Sequence, residues 1–390
     1  MNEEHLAGLI KESEVVKICQ DLVGIQSVNP PGNELAAAEY VAAVLEKSGV
    51  QAELVKHSET RASVLARLKG QGKAPALFYN GHLDTVPVGA EKWVHEPFAG
   101  VVAEGKVWGR GAADMKGGLA AMMAAVKALA SARIPLKGDL LLAATAGEEI
   151  DSLGAAAIAK MPTLGAVQAL FIAEPTYNEI FIAEKGVLWV EIETFGKTAH
   201  GSMPEKGRNA IMMMVEIIKE FEKLVIPFKT HPILGGFTRS INTIAGGVKT
   251  NVVPDHCVAT LDMRTVPGQE HSVILSQIEN IVQGLGTKVP GFKAAAKTVN
   301  DHPSVETSPS EPVLQNFSSI VTEMTGRKAV LKGANYFSDA VGFLPVLKVP
   351  LLLFGPGDPG LAHQPNENVE VCKLVEAARI YAVTAARLLN

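Results

Sequence analysis

The sequence has few cysteines and no long apolar run, and both absences exclude whole classes of protein. Its three cysteines, Cys19, Cys257 and Cys372, are too few and too widely spaced for a disulfide framework or a thiolate zinc site. The longest run without Asp, Glu, Lys or Arg is 13 residues, from Met161 to Ala173. A transmembrane helix needs about 20 apolar residues. We therefore predict no disulfide framework and no membrane segment.

The chain also has no excess of positive charge. Its 36 Lys and Arg residues against 41 Asp and Glu residues leave a net charge of −5. Such a balance does not attract phosphate backbones or anionic lipid. The acidic first residues, MNEEH, are unlike the basic start of an export signal. We predict a cytoplasmic protein with no nucleic-acid and no membrane partner.

The length and the residue patterns predict two domains. At 390 residues the chain is well above a typical domain of about 150 residues. Alternating helix and strand patterns in the first half predict an α/β fold with a central mixed sheet. Helices are predicted at residues 4–22, 34–47 and 116–130, and strands at residues 63–68, 76–83, 139–145 and 169–173.

The pattern changes after residue 186 and returns near residue 299. The intervening part predicts an α+β unit, with half-exposed strands at 187–195 and 257–264 and amphipathic helices at 210–224 and 270–285. The alternation of helix and strand then returns, with a helix predicted at 311–324, a strand at 349–354 and a helix at 369–389. We predict a discontinuous catalytic domain, residues 1–186 and 299–390, with a second domain, residues 187–298, inserted into it.

Five polar clusters lie just beyond the ends of predicted strands. Open α/β sheets bind their ligands at the carboxyl ends of strands. Each cluster alone is weak evidence, since a polar pair at a strand end or on the surface explains it equally well. Together they bring a set of acids and imidazoles to one edge of the sheet: His82 with Asp84, Asp114, Glu148 with Glu149, Glu174, and His363.

The glycine-rich segment around Asp114 is not a nucleotide-binding loop. Gly109–Gly118 lacks the third glycine of a dinucleotide fingerprint, and the sequence contains no Gly-x-x-x-x-Gly-Lys-Ser/Thr pattern. An oxidoreductase with bound nicotinamide or flavin is therefore a remote alternative. We interpret the segment as a loop that presents Asp114.

The chemistry of the assembled residues favours a metal site. Two imidazoles and three carboxylates without a thiolate suit zinc, with cobalt or manganese as substitutes. Carboxylates gathered without a cation would repel one another, and some would stay protonated. We predict that His82, Asp114, Glu149, Glu174 and His363 bind metal.

These clusters, in this order and spacing, resemble those of the dinuclear zinc aminoacylases and carboxypeptidases. That family includes acetylornithine deacetylase, succinyl-diaminopimelate desuccinylase and carboxypeptidase G. The likeness covers nearly the whole chain. It implies two zinc ions per subunit bridged by Asp114, with His82 and Glu174 completing one site and Glu149 and His363 completing the other.

The same resemblance implies catalytic roles near the metals. Glu148 corresponds to the general base, and Asp84 to the residue that supports His82. In relatives the peptide bond after the bridging aspartate is cis, so a cis bond is expected between Asp114 and Met115.

The resemblance further implies that the inserted domain is a lid that also forms a homodimer interface. His200 matches a histidine that supports the developing oxyanion, from the partner subunit in desuccinylase-like relatives, although an exposed loop histidine is the simpler interpretation. Asn251 and Arg264 suit an anionic substrate, and Arg264 is the candidate for its carboxylate. An ion pair of Arg264 with an acidic neighbour, Asp262 or Glu193, is an equal alternative.

One further substrate-binding candidate lies in the larger predicted domain. Gly355 belongs to a Gly-Pro-Gly segment that resembles an active-site loop whose backbone amides meet substrate oxygens. A plain turn would explain the same residues.

The expected reaction is hydrolysis of the amide bond of an N-acyl amino acid. The alternatives are a dipeptidase or carboxypeptidase of the same family and, more remotely, a metal-binding protein without catalysis. Where desuccinylases carry Ser-Asp-Gly-Arg-Phe, this chain continues from Ser338 and Asp339 to Ala340 and Val341 without the arginine. That difference argues against a succinyl preference and leaves an acetylornithine-type substrate allowed.

Overall fold

The computed structural model describes residues 3–390, and the first two residues of the predicted catalytic domain, Met1 and Asn2, lie outside that range. The described chain forms two compact units. The larger comprises residues 3–182, 306–332 and 338–390, and the smaller comprises residues 183–305 and 333–337. The predicted inserted domain, residues 187–298, is shorter than the smaller unit at both ends. Its predicted second limit, residue 298, falls inside the strand at residues 294–302, which belongs wholly to the smaller unit.

The first part of the chain alternates between helices and strands. Its elements are α1 (Glu3–Gly8), α2 (Glu12–Gly24), α3 (Leu35–Glu46), β1 (Gln51–Lys56), β2 (Ala62–Leu68), β3 (Ala76–His82), β4 (Val101–Ala103), β5 (Lys106–Trp108), α4 (Gly117–Ala132), β6 (Leu140–Thr145), α5 (Leu153–Ala159), β7 (Val167–Ile172) and β8 (Ile180–Glu184).

Four long strands and two helices follow, and the chain then returns to the larger unit. The smaller unit contains β9 (Gly186–Phe195), α6 (Ala210–Lys223), β10 (Thr238–Gly246), β11 (His256–Thr265), α7 (His271–Lys288) and β12 (Ala294–His302). The last elements are β13 (Val305–Glu306), α8 (Pro312–Thr325), β14 (Leu331–Ala334), α9 (Ala340–Leu347), β15 (Leu351–Leu353), β16 (Asn368–Glu370) and α10 (Val371–Leu388).

The central sheet is mixed, as predicted. Its strand order is β1-β2-β6-β3-β7-β15-β8-β13, with β14 beside β8. The neighbours β6, β3, β7 and β15 are mutually parallel, whereas β1 and β2 are antiparallel. Every residue of β3 and β6 is buried, as expected for parallel strands covered on both faces. The carboxyl ends of four adjacent strands therefore meet at one edge.

An aromatic cluster fills the core of the larger unit. Phe171 on β7 makes an edge-to-face contact with Phe317 on α8, with 5.0 Å between ring centroids. Phe317 in turn packs on Phe354 at 5.1 Å, and Phe354 packs on Tyr381 of α10. The Tyr79 hydroxyl donates a hydrogen bond to the main-chain carbonyl of Tyr381, so this buried hydroxyl has a polar partner. The cluster fixes α8 and α10 to the sheet.

The start of α4 lies against the end of β7. A Cβ on Gly118 would lie only 2.2 Å from the Ala173 carbonyl oxygen, so no larger residue fits there. This close approach brings the segment before α4, which carries Asp114, beside the residues that follow β7.

The smaller unit is an antiparallel sheet covered by two helices. Its strand order is β10-β11-β9-β12. Burial alternates along β11, and its inward residues pack with α6 and α7 around Met214, Ile217 and Ile278. The α+β prediction for this part of the chain is correct. Within residues 3–390, no helix combines the length and the apolar character needed to cross a membrane.

One predicted helix is wrong in its extent, and one strand of the smaller unit was not predicted. The helix predicted at 4–22 is divided into α1 and α2 by residues 9–11, since Gly8 is a poor helix former. The strand β10 was not predicted, because its sequence, TRSINTIAG, is exposed along most of its length and has no apolar alternation.

We expect Phe171→Ala to lower the free energy of unfolding by about 3–5 kcal/mol, because it leaves a cavity within the aromatic cluster. Urea unfolding of the metal-free protein measures the change. Val94→Ala is the matched control, since Val94 is 74% exposed and its truncation removes no buried contact. A loss below about 1 kcal/mol for Phe171→Ala would contradict the packing described.

Candidate metal centre

Three predicted ligands lie at or just after the ends of strands in the central sheet, and two lie in connecting segments. His82 is the last residue of β3, Glu149 follows β6, and Glu174 follows β7. His363 follows β15 in a loop, and Asp114 lies in the tight turn between β5 and α4. Because β6, β3, β7 and β15 are parallel neighbours, the fold brings their ends together.

Asp114 lies between the two histidines. The Nε2 atom of His82 is 3.1 Å from Asp114 Oδ1, and the Nε2 atom of His363 is 3.4 Å from Asp114 Oδ2. His363 Nε2 also lies 3.1 Å from Glu149 Oε2. Each carboxylate oxygen of Asp114 thus faces a different imidazole, which is the arrangement a bridging carboxylate needs. The Asp114–Met115 peptide bond is cis.

Ligand atoms of His82, Asp114 and Glu149 lie within 4.8 Å of one another, so these side chains converge on one place where metal could bind. Glu149 Oε1 and Glu174 Oε1 are buried and have no hydrogen-bond partner. A buried carboxylate oxygen without a donor is unfavourable unless a cation reaches it. The residues present therefore fit a metal centre with oxygen and imidazole ligands.

His82 is oriented for metal binding by the backbone. Its Nδ1–H donates to the carbonyl oxygen of Asp84 at 2.9 Å, which leaves Nε2 free to face Asp114. The Asp84 carboxylate is 3.6 Å from the same ring nitrogen. The support predicted for His82 is thus supplied most directly by the Asp84 main chain.

The Asp84 carboxylate instead holds the loop after β6. It accepts hydrogen bonds from the backbone N–H groups of Gly147, Glu148 and Glu149 at 3.1–3.2 Å. Asn29 Nδ2 donates a fourth bond to it at 2.8 Å. Four hydrogen-bond donors fix the orientation of the carboxylate. The side chain therefore sets the positions of the adjacent glutamates.

Burial perturbs the acids of this site. It raises the pKa of Glu148, Glu149 and Glu174, and in Glu148 the neighbouring charge of Glu174 adds to the effect. For Asp114, burial also acts upward, but hydrogen bonds from His363 and His82 bring its pKa below the usual range.

The pKa values of both imidazoles are also raised. Hydrogen bonds to Asp114 and Glu149 raise the pKa of His363 to about 10. Burial disfavours the charged form of His82, yet its hydrogen bond with Asp114 and the nearby Glu148 charge raise its pKa well above the ordinary value. Without metal, protons thus balance the charge of the acids.

The smaller unit holds three of the predicted residues. His200 is exposed, and its Nδ1 lies 2.7 Å from Ser202 Oγ. The carbonyl of Asn251 accepts from the Gly201 N–H, so the His200 and Asn251 segments are neighbours. Arg264 forms an ion pair with Asp262 at 2.9 Å, which is the alternative left open by the sequence.

Gly355 is buried in a position that does not suit substrate binding. Its N–H donates to Thr176 Oγ1 at 3.0 Å, so this amide is not available to a substrate oxygen. A Cβ at Gly355 would lie 2.3 Å from the Ala173 carbonyl. The glycine is required by the close packing of two chain segments.

Sequence reasoning missed Asp339 as a member of the site. This residue is fully buried, its Oδ2 accepts from the Thr145 hydroxyl, and its Oδ1 has no partner. Burial raises its pKa to about 6. The sequence does contain a signal for this residue, because Asp339 is shared with the Ser-Asp-Gly-Arg-Phe motif of the desuccinylases.

Comparison with known proteins agrees with this architecture. The profile of peptidase family M20/M25/M40 matches residues 78–387. A probable succinyl-diaminopimelate desuccinylase from Staphylococcus epidermidis is 29% identical over 387 residues, covering 92% of this chain and 94% of that protein.

Two solved structures share the fold. An M20 family metallo-carboxypeptidase from Sulfolobus solfataricus superposes with a TM-score of 0.79 at 21% identity, covering 96% of this chain and 98% of that one. A dinuclear metal-binding peptidase of the M20 family from Bacillus subtilis gives 0.74 at 19% identity, covering 97% and 98%. Fold and site together define an α/β metallohydrolase. The chain belongs to peptidase family M20/M25/M40.

Metal binding is expected to release protons. With a pKa of about 10, His363 holds a proton near neutral pH in the metal-free protein, and the raised pKa values of Glu149 and Glu174 increase their affinity for protons, so an incoming cation competes with protons at this site. Affinity for Zn²⁺ should therefore fall as the pH is lowered from 8 to 6. Calorimetric titration in buffers of different ionisation enthalpy measures both quantities. An affinity independent of pH, with no proton release, would contradict the charge balance described.

Proposed function

We propose that the protein hydrolyses the amide bond of an N-acyl amino acid and releases the acyl group, using two zinc ions per subunit. Cobalt or manganese would substitute. One observation carries the proposal. Asp114 presents its two oxygens to His82 and His363, while the carboxylate of Glu148 lies 4.0 Å from His82 Nε2.

In the proposed centre, Asp114 would help to hold both ions. His82 and Glu174 would complete the ligands of one ion, and Glu149 and His363 those of the other. The buried, unpartnered oxygens of Glu149 and Glu174 support this assignment. Bound there, divalent ions supply Lewis acidity, which polarises an amide carbonyl and lowers the pKa of water from about 15.7 toward 7.

Glu148 is the proposed general base. It accepts a proton from the attacking water and delivers it to the nitrogen of the leaving amine, as the carbon–nitrogen bond breaks. Its backbone N–H is fixed by Asp84, and Glu149 shares the same anchor. The two residues lie in a turn after β6, where Glu149 Oε2 is 3.1 Å from His363 Nε2 and Glu148 Oε2 is 4.0 Å from His82 Nε2, so one glutamate can bind metal while the other handles the proton.

Substrate recognition is proposed to involve residues of the smaller unit. Arg264 would bind the substrate carboxylate, Asn251 would contact the substrate, and His200 would support the developing oxyanion. Arg264 uses Nε and one terminal nitrogen on Asp262, and a guanidinium has further N–H groups to offer. Gly355 is not part of the proposed substrate site, because its N–H already donates to the Thr176 hydroxyl oxygen.

The relatives support an acyl substrate. Besides the desuccinylase, a deformylase of an N-formyl pyrimidine from Bacillus subtilis is 28% identical and covers 97% of this chain and 94% of that protein. Both are named for removing an acyl group from nitrogen. A dipeptidase or carboxypeptidase is the second candidate, supported by the peptidase names of the structural neighbours.

We also propose that the smaller unit acts as a lid and joins two subunits in a cytoplasmic homodimer. Its edge strand β10 is exposed along most of its length, and an unpaired edge favours pairing with another chain. The three cysteines are free, which suits a reducing compartment.

Glu148→Ala should reduce kcat at least about a hundredfold while leaving Zn²⁺ binding unchanged, because it removes the proton acceptor only. The measurement is amine release from a panel of N-acetyl, N-formyl and N-succinyl amino acids and simple dipeptides. Glu149→Ala is the matched control and should lose metal as well as activity. Near-native turnover of Glu148→Ala would refute the assignment, and cleavage confined to dipeptides would favour the peptidase.

Arg264→Ala should lower kcat/KM for the preferred N-acyl amino acid about tenfold to a hundredfold, because a charge-assisted hydrogen bond is lost. The comparison substrate is the same compound with its carboxylate replaced by a neutral amide. Wild-type and variant protein should cleave that compound at similar rates. Equal losses on both compounds would show that Arg264 acts through Asp262 and not on the substrate.

A further inference from the structure

Arg110 and Glu367 form a buried ion pair beside the candidate metal centre. The pair contacts both the turn that carries Asp114 and the loop that carries His363. Arg110 Nη1 lies 2.5 Å from Glu367 Oε2, and the two side chains are 2% and 1% exposed. A charge pair this deep is stabilising only with good geometry and further hydrogen bonds. Both side chains make further hydrogen bonds, and their partners include the main chain of Asp114 and His363.

Glu367 holds the backbone of the Asp114 turn. Its Oε1 accepts hydrogen bonds from the N–H groups of Ala113 and Asp114, both at 2.9 Å. Its own carbonyl accepts from the Gly109 N–H. The position of the proposed bridging residue is therefore set by a glutamate that comes after His363 in the sequence.

Arg110 holds the backbone of the His363 loop. Its Nη2 donates to the carbonyl of His363 and its Nη1 to the carbonyl of Gln364, each at 3.3 Å. That loop needs support, because His363 and Asn366 have positive φ angles of 63° and 61°. Non-glycine residues keep such a conformation only where their surroundings impose it.

The pair therefore connects the two loops crosswise. The arginine of the Asp114 segment fixes the main chain of the His363 loop, and the glutamate of the His363 segment fixes the main chain at Asp114. The short sheet β16-β5-β4 aligns the two segments, since Asn368 pairs with Trp108. His363, whose side chain is 51% exposed, has little packing of its own to fix it.

We propose that Arg110 and Glu367 are positioning residues that set the distance between His363 and Asp114, and so determine affinity for the ion assigned to Glu149 and His363. This inference rests on the proposed function. The ion assigned to His82 and Glu174 depends on the pair less, because it shares only Asp114 with the two loops that the pair holds, and His82 is held by the Asp84 carbonyl.

The test is calorimetric titration of metal-free, full-length variants with Zn²⁺. Wild-type protein should bind two ions. Glu367→Gln and Arg110→Lys should bind one ion with wild-type affinity and the second at least about tenfold more weakly, the range seen when groups that orient metal ligands are removed. Arg67→Lys is the control, since Arg67 pairs with Asp139 and a carbonyl elsewhere in the same unit.

A double variant identifies the affected ion. His363→Ala should weaken the same ion, so adding Glu367→Gln to it should cause little further loss, whereas adding it to His82→Ala should affect both ions. Excess Zn²⁺ should restore turnover of Glu367→Gln and leave that of Glu148→Ala low. Circular dichroism and melting temperature establish that each variant is folded.

Unchanged affinity for both ions in folded Glu367→Gln and Arg110→Lys would overturn the proposal. If both variants fail to fold, Trp93→Leu decides, because the Trp93 ring lies 5.1 Å from the Arg110 guanidinium carbon, and its loss loosens Arg110 while both charges of the pair remain. A weaker second ion in Trp93→Leu supports the proposal, and an unchanged one overturns it. Wild-type protein that binds fewer than two ions would overturn the proposed function together with this inference.

Discussion

The structure depends above all on the burial of several carboxylates at one edge of a sheet. Glu148, Glu149 and Glu174 meet there because β6 and β7 flank β3 in parallel, and the close approach of Gly118 to Ala173 brings Asp114 beside them. Such a cluster is stable only if protons, imidazoles or cations neutralise it. The Asp84 carboxylate, the cis peptide after Asp114 and the close approach of Gly118 to Ala173 belong to the scaffold around these charges.

Much of this site could be predicted from sequence, because its ligands follow strands whose apolar character is unmistakable. The five clusters around His82, Asp114, Glu149, Glu174 and His363 needed only that rule and the chemistry of the residues. Partners joined across the chain could not be predicted. The Asp339 contact with Thr145, and the Glu367 contacts with Ala113 and Asp114, depend on how distant segments fold together.

The fold shows the same division between local pattern and tertiary context. Buried strands such as β3 and β6, and alternating strands such as β9 and β11, have clear signatures in the sequence. Exposed β10 has none, and the split between α1 and α2 depends on a weak helix former. The sequence does not show that the Gly355 N–H donates to the Thr176 hydroxyl, because the two residues are distant in the chain and meet only in the folded structure.

The order of strands has a consequence for biosynthesis. In the central sheet β15 lies between β7 and β8, yet it is made only after the whole smaller unit has been translated. An emerging chain therefore carries four of the five proposed ligands beside an open position in its sheet, with His363 still to come. Premature termination in the last part of the gene would yield an incomplete sheet with exposed strand edges, which are prone to aggregate, and not a smaller working enzyme.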